Sequence, residues 1–288
     1  MIEDSRLLEL RHFKRTQQLF PLDDAVCGED ERSALAGEPL RGVCPVCGEP
    51  TTFVGFTDNM RESGACAHCG SSNRQRQMAL MLRRALALPA HGVIELPAGV
   101  RLFNTESTGP LHERLKSSAA YTFSEYWGPD HAPGAQVAGI RNEDLQSLSF
   151  SPETFDIVLS SDVLEHVPDP YRAHAEIFRV LKAGGRHLFT VPYYPWECRD
   201  EVRAELVDGK VVHRAEPLYH GDPIRASEGI LVWRIFGLEM LVRLSDIGFN
   251  PRLWRLYEPS HGIIGTWCTF FEAVKEVGAK ITRSGRQF

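Results

Sequence analysis

Four cysteines fall in two matched pairs, CPVC at Cys44 to Cys47 and CAHC at Cys66 to Cys69, with Gly48 and Gly70 directly after them. The C-x2-C-x18-C-x2-C spacing is that of two tight knuckles, each aiming two thiolates at one point, and together they make the tetrahedral sulfur shell that zinc prefers. A redox dithiol accounts for one such pair but not for two at this spacing. His68, inside the second knuckle, is an alternative ligand that four available cysteines make superfluous. Four thiolates leave no open coordination position, so a zinc bound by Cys44, Cys47, Cys66 and Cys69 is expected to fold a small lobe and not to do chemistry. Cys27, Cys198 and Cys268 are left as free thiols, and Arg74 and Arg76, just past the second knuckle, are expected to face solvent.

The elements around these residues change character along the chain. Apolar positions at helical spacing from Ser5 to Phe20 suggest a packing arm within residues 1–40, and residues 41–90 hold the cysteine module and an amphipathic linker helix over Ser72 to Leu88, ended by Pro89. From about Val100 the rhythm becomes strand, turn, helix, strand, which signals a parallel sheet with crossover helices. Strands are expected at Arg101 to Asn104, Ala120 to Ser124, Phe155 to Ser160 and Arg186 to Val191. Helices are expected at Pro110 to Lys116, Pro170 to Leu181 and Leu238 to Ile247, the last capped by Gly248. A closing pair of strands, Leu253 to Tyr257 and Thr266 to Phe271, would complete the sheet at its edge. The expected fold is thus α/β, a doubly wound and mostly parallel sheet over residues 91–288, with the small zinc module in front.

Within that domain, YTFSEYW from Tyr121, NEDLQSLSFSPETFDIVLSSDVLEHVPDP from Asn142 and EIFRVLKAGGRHLFTVP from Glu176 follow one another at the ends of the expected strands. Over about 70 residues they resemble the consecutive motifs of class I methyltransferases that use S-adenosylmethionine, in the subgroup known as type 11. Open parallel sheets bind ligands in the crevice beyond the carboxyl ends of their strands, which is where each motif falls.

The resemblance implies roles for particular residues. Glu125, closing the second strand, is placed to accept hydrogen bonds from the ribose hydroxyls, and Asp144 to contact the adenine amino group with Leu145 against the ring, Glu143 being the alternative to Asp144. Ser161 and Asp162 would lie beside the sulfonium, and Asp156 has a structural part. The loop after the first strand, RLFNTESTG, keeps only Gly109 of the glycines usual in the family, and Glu106 is expected to take the ammonium group of the cofactor there. Glu165 and His166 would stand at the mouth of the crevice, His166 as a base or a substrate contact. The stretch of about 192–234 is the expected substrate lid. In it, His220 with Asp222 reads as a base and its orienter, as part of a divalent-metal site with Glu165 and His166, or as caps of polar turns.

The composition narrows the partners. With 43% hydrophobic and 24% charged residues the 288-residue chain is globular, and a formal net charge of -6 disfavours nucleic acid and anionic membrane, which favour basic patches. No apolar run reaches the ~18 residues of a membrane span, and the charged N-terminus is unlike a secretory signal, so a cytoplasmic protein is expected. The leading expectation is methylation of an oxygen, less readily a nitrogen, on a small molecule or sugar. The alternatives are a catalytically silent protein whose zinc lobe binds a protein partner, and modification of RNA or protein.

Overall fold

The structure, a computed structural model, describes residues 24–194, 196–221, 229–265 and 268–278. The arm expected over Ser5 to Phe20 and the candidate Asp222 lie outside the described residues. After helix α1 (Asp24–Leu35), strands β1 (Leu40–Val43), β2 (Pro50–Val54) and β3 (Ala65–Cys66) form an antiparallel sheet in the order β1-β2-β3. Each knuckle closes on itself: Gly48 N–H donates to the Cys44 carbonyl at 2.7 Å, and Gly70 N–H to that of Cys66 at 2.9 Å. Both glycines have positive φ, 78° and 70°, where a side chain is strained. At Gly48 the backbone of Gly92 would also lie 2.0 Å from any added Cβ.

Helix α2 (Asn73–Ala85) starts at a reciprocal cap, with Ser72 N–H donating to Gln75 Oε1 at 2.9 Å and Gln75 N–H pointing back to Ser72 Oγ. Arg74 and Arg76 do not face solvent as expected from sequence. Arg76 is fully buried, stacked 4.4 Å from the Phe53 ring centre, and donates to the carbonyls of Ser71 and Gly262. Arg83 donates to four carbonyls, those of Pro45, Pro89, His91 and Gly92. Buried guanidinium groups need such acceptors, and here they bolt the helix to the first knuckle and to the segment that follows.

The central sheet contains β4 (Leu102–Asn104), β5 (Tyr121–Phe123), β6 (Phe155–Ser161), β7 (Leu181–Thr190), β8 (Phe249–Arg255) and β9 (Thr269–Lys275), in the order β8-β9-β7-β6-β4-β5. The pairs β4/β5, β4/β6 and β6/β7 are parallel, and β9 runs antiparallel to both β7 and β8. A parallel bridge from Glu125 to Asn142 extends the sheet past β5. Several boundaries differ from the sequence reading, and the closing strands, expected at Leu253 to Tyr257 and Thr266 to Phe271, run Phe249–Arg255 and Thr269–Lys275. Strand β7 begins at Leu181, because the Gly184-Gly185 turn is absorbed as a register shift between Leu181 and Arg186 and does not separate helix from strand. After β6, Leu164–His166 form a single 3-10 turn.

Both faces of the sheet are covered, as a doubly wound fold requires. Helix α3 (Pro110–Leu115) packs on one face together with α2, while α4 (Pro170–Val180) and α5 (Glu239–Ile247) pack on the other. Asp169 caps α4 ahead of Pro170, and Gly248, left-handed at φ 119°, ends α5 as expected. The cysteine lobe is not a separate body. Phe53, Met78, Leu82 and the cysteines share one buried apolar cluster with Leu102, Ile157, Leu159, Leu188 and Phe270 of the sheet. The division expected at residue 91 therefore cuts through a common core, and α2 serves as one of the sheet's own covering helices.

Candidate active site

Strands β4, β5 and β6 all end on the same rim, and a cavity of about 1700 Å³ opens there. Among its walls are Glu106 from the loop after β4, Glu125 just past β5, Asp144 and Leu145 further on, Ser161 and Asp162 at the end of β6, and His166 and His220 opposite. Ligand cavities are usually about 300–1000 Å³, so this one has room for two reactants side by side. The expected lid contributes its roof: a hairpin of Ala204–Val207 and Lys210–His213 lends Leu206 and Val211, and Tyr219, Ile230 and Trp233 follow. Gly109 is the exception among the expected residues. It precedes α3 with φ 91° and lines a shallow hollow beside Cys69, outside the main cavity.

The carboxylates differ in their surroundings. Glu125 Oε1 accepts from Ser107 N–H at 2.7 Å, so it shapes the loop that carries Glu106. Burial pushes the Glu106 carboxyl up to about 8, against the pull of Arg74 and with help from the Glu125 and Asp162 carboxylates. Asp144 Oδ1 accepts from Gln146 N–H at 2.8 Å. Glu143, the alternative to Asp144, is committed elsewhere: its oxygens accept from Arg141 Nε at 2.6 Å and from both Ser149 N–H and Oγ. Asp156 accepts from Arg101 N–H and Lys182 Nζ, both at 2.7 Å, which ties together the strand starts at the far end of the sheet.

Asp162 is held by the cysteine lobe, a relationship the sequence did not signal. Arg61, in the loop between the knuckles, donates through both terminal nitrogens to the two oxygens of Asp162, at 2.5 and 2.6 Å. Arg74, in the first turn of α2, lies 3.5 Å from the same carboxylate, pairs with Glu62 at 2.8 Å, and donates to the Ser161 carbonyl and hydroxyl. The arginines, chiefly Arg61, hold the Asp162 carboxyl well below the usual range despite its burial. Asp162 itself adopts a positive φ of 55°, rare for a residue with a side chain, where the chain turns out of the sheet into the cavity rim. Asn59, Arg61, Glu62 and Arg74 thus make the lobe one wall of the cavity. The only clue in the sequence was the pair of arginines after the second knuckle.

At the other end of the cavity, His166 Nδ1 lies 2.9 Å from the Leu231 carbonyl and its ring stands edge-on, 5.0 Å from that of His220. Both imidazoles approach Glu165 Oε1 at 3.8 Å. Burial, with the Asp162 carboxylate nearby, raises the Glu165 carboxyl well above its ordinary value, and burial lowers the His220 imidazole. His220 thus meets His166 and Glu165 as one of the sequence readings proposed, and its pairing with Asp222 lies outside the described residues.

In the lobe, the four cysteine sulfurs all lie within 4.8 Å of one another, Cys44 to Cys69 at 3.7 Å and Cys47 to Cys66 at 4.0 Å. The hydrogen bond from Cys44 pulls the Cys69 thiol down to about 4. His68 is exposed and not part of this cluster.

Residues 112–189 match the family described as a methyltransferase domain. An uncharacterized methyltransferase of Mycobacterium marinum is 30% identical over 134 residues, which are 46% of this chain and 52% of that protein. One from Mycolicibacterium paratuberculosis is 38% identical over 138 residues, 46% of this chain and 54% of the relative. The chain thus spans about half the length of these relatives. A solved S-adenosylmethionine-dependent methyltransferase from Mesorhizobium loti, 14% identical, covers 71% of this chain and 98% of its own with a TM-score of 0.42.

Proposed function

We propose that the protein is an S-adenosylmethionine-dependent methyltransferase that methylates an oxygen, less readily a nitrogen, of a small molecule or sugar. One observation carries the reading: Glu106, Glu125, Asp144 and Leu145 line a single cavity beyond the carboxyl ends of parallel strands, within or beside the segment that matches the methyltransferase family. The donor set fits the cofactor. Glu106 would receive the ammonium group, Glu125 the ribose hydroxyls and Asp144 the adenine amino group, with Leu145 against the ring and Ser161 near the sulfur. Asp162 acts through Arg61 and Arg74, fixing the wall beside the reacting atoms. When bound, the cofactor supplies an electrophilic methyl carbon on a sulfonium.

What the chain must add is position and shelter, since a direct displacement gains most from an in-line nucleophile and an absence of water. The apolar lid side chains Leu206, Val211, Ile230 and Trp233 exclude water, and His166 with His220 faces the remaining volume where an acceptor hydroxyl would enter. Among the described residues of the wall, histidines aside, six ionisable side chains are acids, Glu106 with a raised carboxyl among them, and two are arginines, both paired with acids. Such a lining repels a phosphate backbone and favours an uncharged or cationic organic acceptor over RNA. In the lobe, the four sulfurs would hold a structural zinc.

Incubation with methyl-labelled S-adenosylmethionine and separate pools of hydroxylated small molecules, oligosaccharides, RNA and protein tests the assignment. Label is expected in the small-molecule or oligosaccharide pool. Label confined to RNA or protein would overturn the acceptor class.

A further inference from the structure

The 3-10 turn after β6 carries a carboxylate that nothing else in the site explains. Glu165 is fully buried, and neither of its oxygens has a hydrogen-bond partner among the described residues. A buried carboxylate without a donor is among the least tolerated groups in a protein interior, so its neighbours bear on its purpose. They are two imidazoles, His166 Nε2 and His220 Nδ1, each 3.8 Å from Oε1. The three groups offer one ligand atom each, all within 4.8 Å of one another.

The fold fixes the imidazoles for that purpose. His166 Nδ1 meets the Leu231 carbonyl at 2.9 Å, and a carbonyl only accepts, so the proton sits on Nδ1 and the lone pair on Nε2, the nitrogen 3.8 Å from Glu165 Oε1. His220 pairs with Ile230 in the short ladder that also carries Leu231, so one ladder positions both rings. The Glu165 carbonyl accepts from Trp233 N–H at 2.7 Å, which ties the turn to the same insertion. His166 and His220 open into the cavity while Glu165 lies beneath them.

We propose that Glu165, His166 and His220 form a three-ligand site for a divalent cation of the zinc class, with its open positions facing the acceptor end of the cavity. Two imidazoles and one carboxylate are a donor set for borderline cations, and three protein ligands leave room for an oxygen of water or substrate, unlike the closed cysteine site. Bonds of about 2.0–2.2 Å put ligands in a tetrahedral shell roughly 3.3 Å apart, so the two 3.8 Å gaps to Glu165 close with about half an ångström of movement, and the gap between the imidazoles, within 4.8 Å, with up to about 1.5 Å. The purpose of the cation rests on the methyltransferase reading. A hydroxyl of the acceptor that reaches the cation loses its proton to water more readily. The oxygen then bonds to the methyl carbon as the carbon–sulfur bond breaks, and the electron pair stays on the departing S-adenosylhomocysteine.

The full chain, stripped of metal and reloaded with cobalt(II) or zinc, tests the site. Expected are two ions per chain: one with the intense near-ultraviolet charge-transfer band of thiolate ligation, and one with only the weak visible bands of nitrogen and oxygen ligands. His220→Ala, at a half-exposed position, and Glu165→Gln, which removes only the charge, should each lose the second ion and keep the thiolate band, which reports that the fold around the cysteine lobe is intact. A single ion in the wild type, or two ions undiminished in both variants, would overturn the proposal. S-adenosylhomocysteine binding, read on the same samples, separates the two claims. Binding without a second ion sinks the metal site alone, and a second ion without binding sinks the methyltransferase reading alone.

Discussion

Arg61 and Asp162 are joined by two parallel hydrogen bonds of 2.5 and 2.6 Å, although 101 residues of chain separate them. One belongs to the loop between the cysteine knuckles and the other to the end of β6, so this pair clamps the lobe onto the cavity rim. Their side chains are only 17% and 18% exposed. Removing one partner of such a pair strands the other charge, and Arg61→Ala is expected to cost about 3 kcal/mol in denaturant unfolding. Lys at the same position should restore only part of it, because an ammonium cannot make the two-pronged contact. An unchanged midpoint would mean that the clamp is not structural.

The shared core implies that lobe and sheet unfold together. Leu82, fully buried, sits in the cluster that joins Phe53 to Ile157 and Leu188. Leu82→Ala should destabilise by about 3 kcal/mol and leave a single transition. If Cys44, Cys47, Cys66 and Cys69 hold the zinc proposed above, chelating it should likewise lower the one melting temperature. A separate early transition for the lobe would show two independent bodies.

The sequence made much of this legible. Continuous apolar runs marked β6 and the second half of β7, and the cysteine spacing marked the lobe. Glu106, Glu125, Asp144 and Asp162 could be placed on one rim because a parallel sheet sends every strand end to the same side. What stayed hidden depends on contacts between distant segments. Nothing in the spacing of Arg61 or Arg74 says that their partners are Asp162 and Ser161, and Arg76 looks like any surface arginine until Phe53 and Gly262 are folded around it. Gly109, expected in the cofactor loop as the one retained family glycine, stands at the start of α3 beside the cysteine lobe, a placement that depends on how α2 and α3 pack and not on the loop's own residues.

Binding of S-adenosylhomocysteine should depend on pH through Glu106. Its carboxyl, pushed up to about 8 in the free site, is mostly protonated at neutral pH, whereas the ammonium group favours the ionised form. Ligand binding therefore releases a proton. Affinity should rise by up to about tenfold per pH unit toward pH 8 and then level off. Glu106→Gln should flatten the profile and weaken binding at pH 8. A wild-type profile that is flat from pH 6 to 8 would show that Glu106 does not meet the ammonium.

Two histidines lie fully buried between the sheet and its covering helix, His174 in α4 and His187 in β7, their rings 5.3 Å apart. Burial lowers His174 to about 3 and takes His187 well below its ordinary value. Both are neutral in the fold, while the unfolded chain protonates them near pH 6.5, so the unfolded state binds more protons below that pH. Stability should be fully present above about pH 6.5 and fall as the pH drops toward 3, by about 1.4 kcal/mol per pH unit for each histidine. His174→Phe should reduce that slope in pH-dependent unfolding, and an unchanged slope would assign the acid sensitivity to other groups.

The most direct measurement is a calorimetric titration of the full chain with S-adenosylhomocysteine. One saturable site per chain is expected, weakened roughly ten- to hundredfold by Asp144→Ala and by Glu125→Gln through the loss of charge-assisted hydrogen bonds to adenine and ribose. No binding to the wild type, or equal binding to both variants, would contradict the assignment of this cavity to the cofactor.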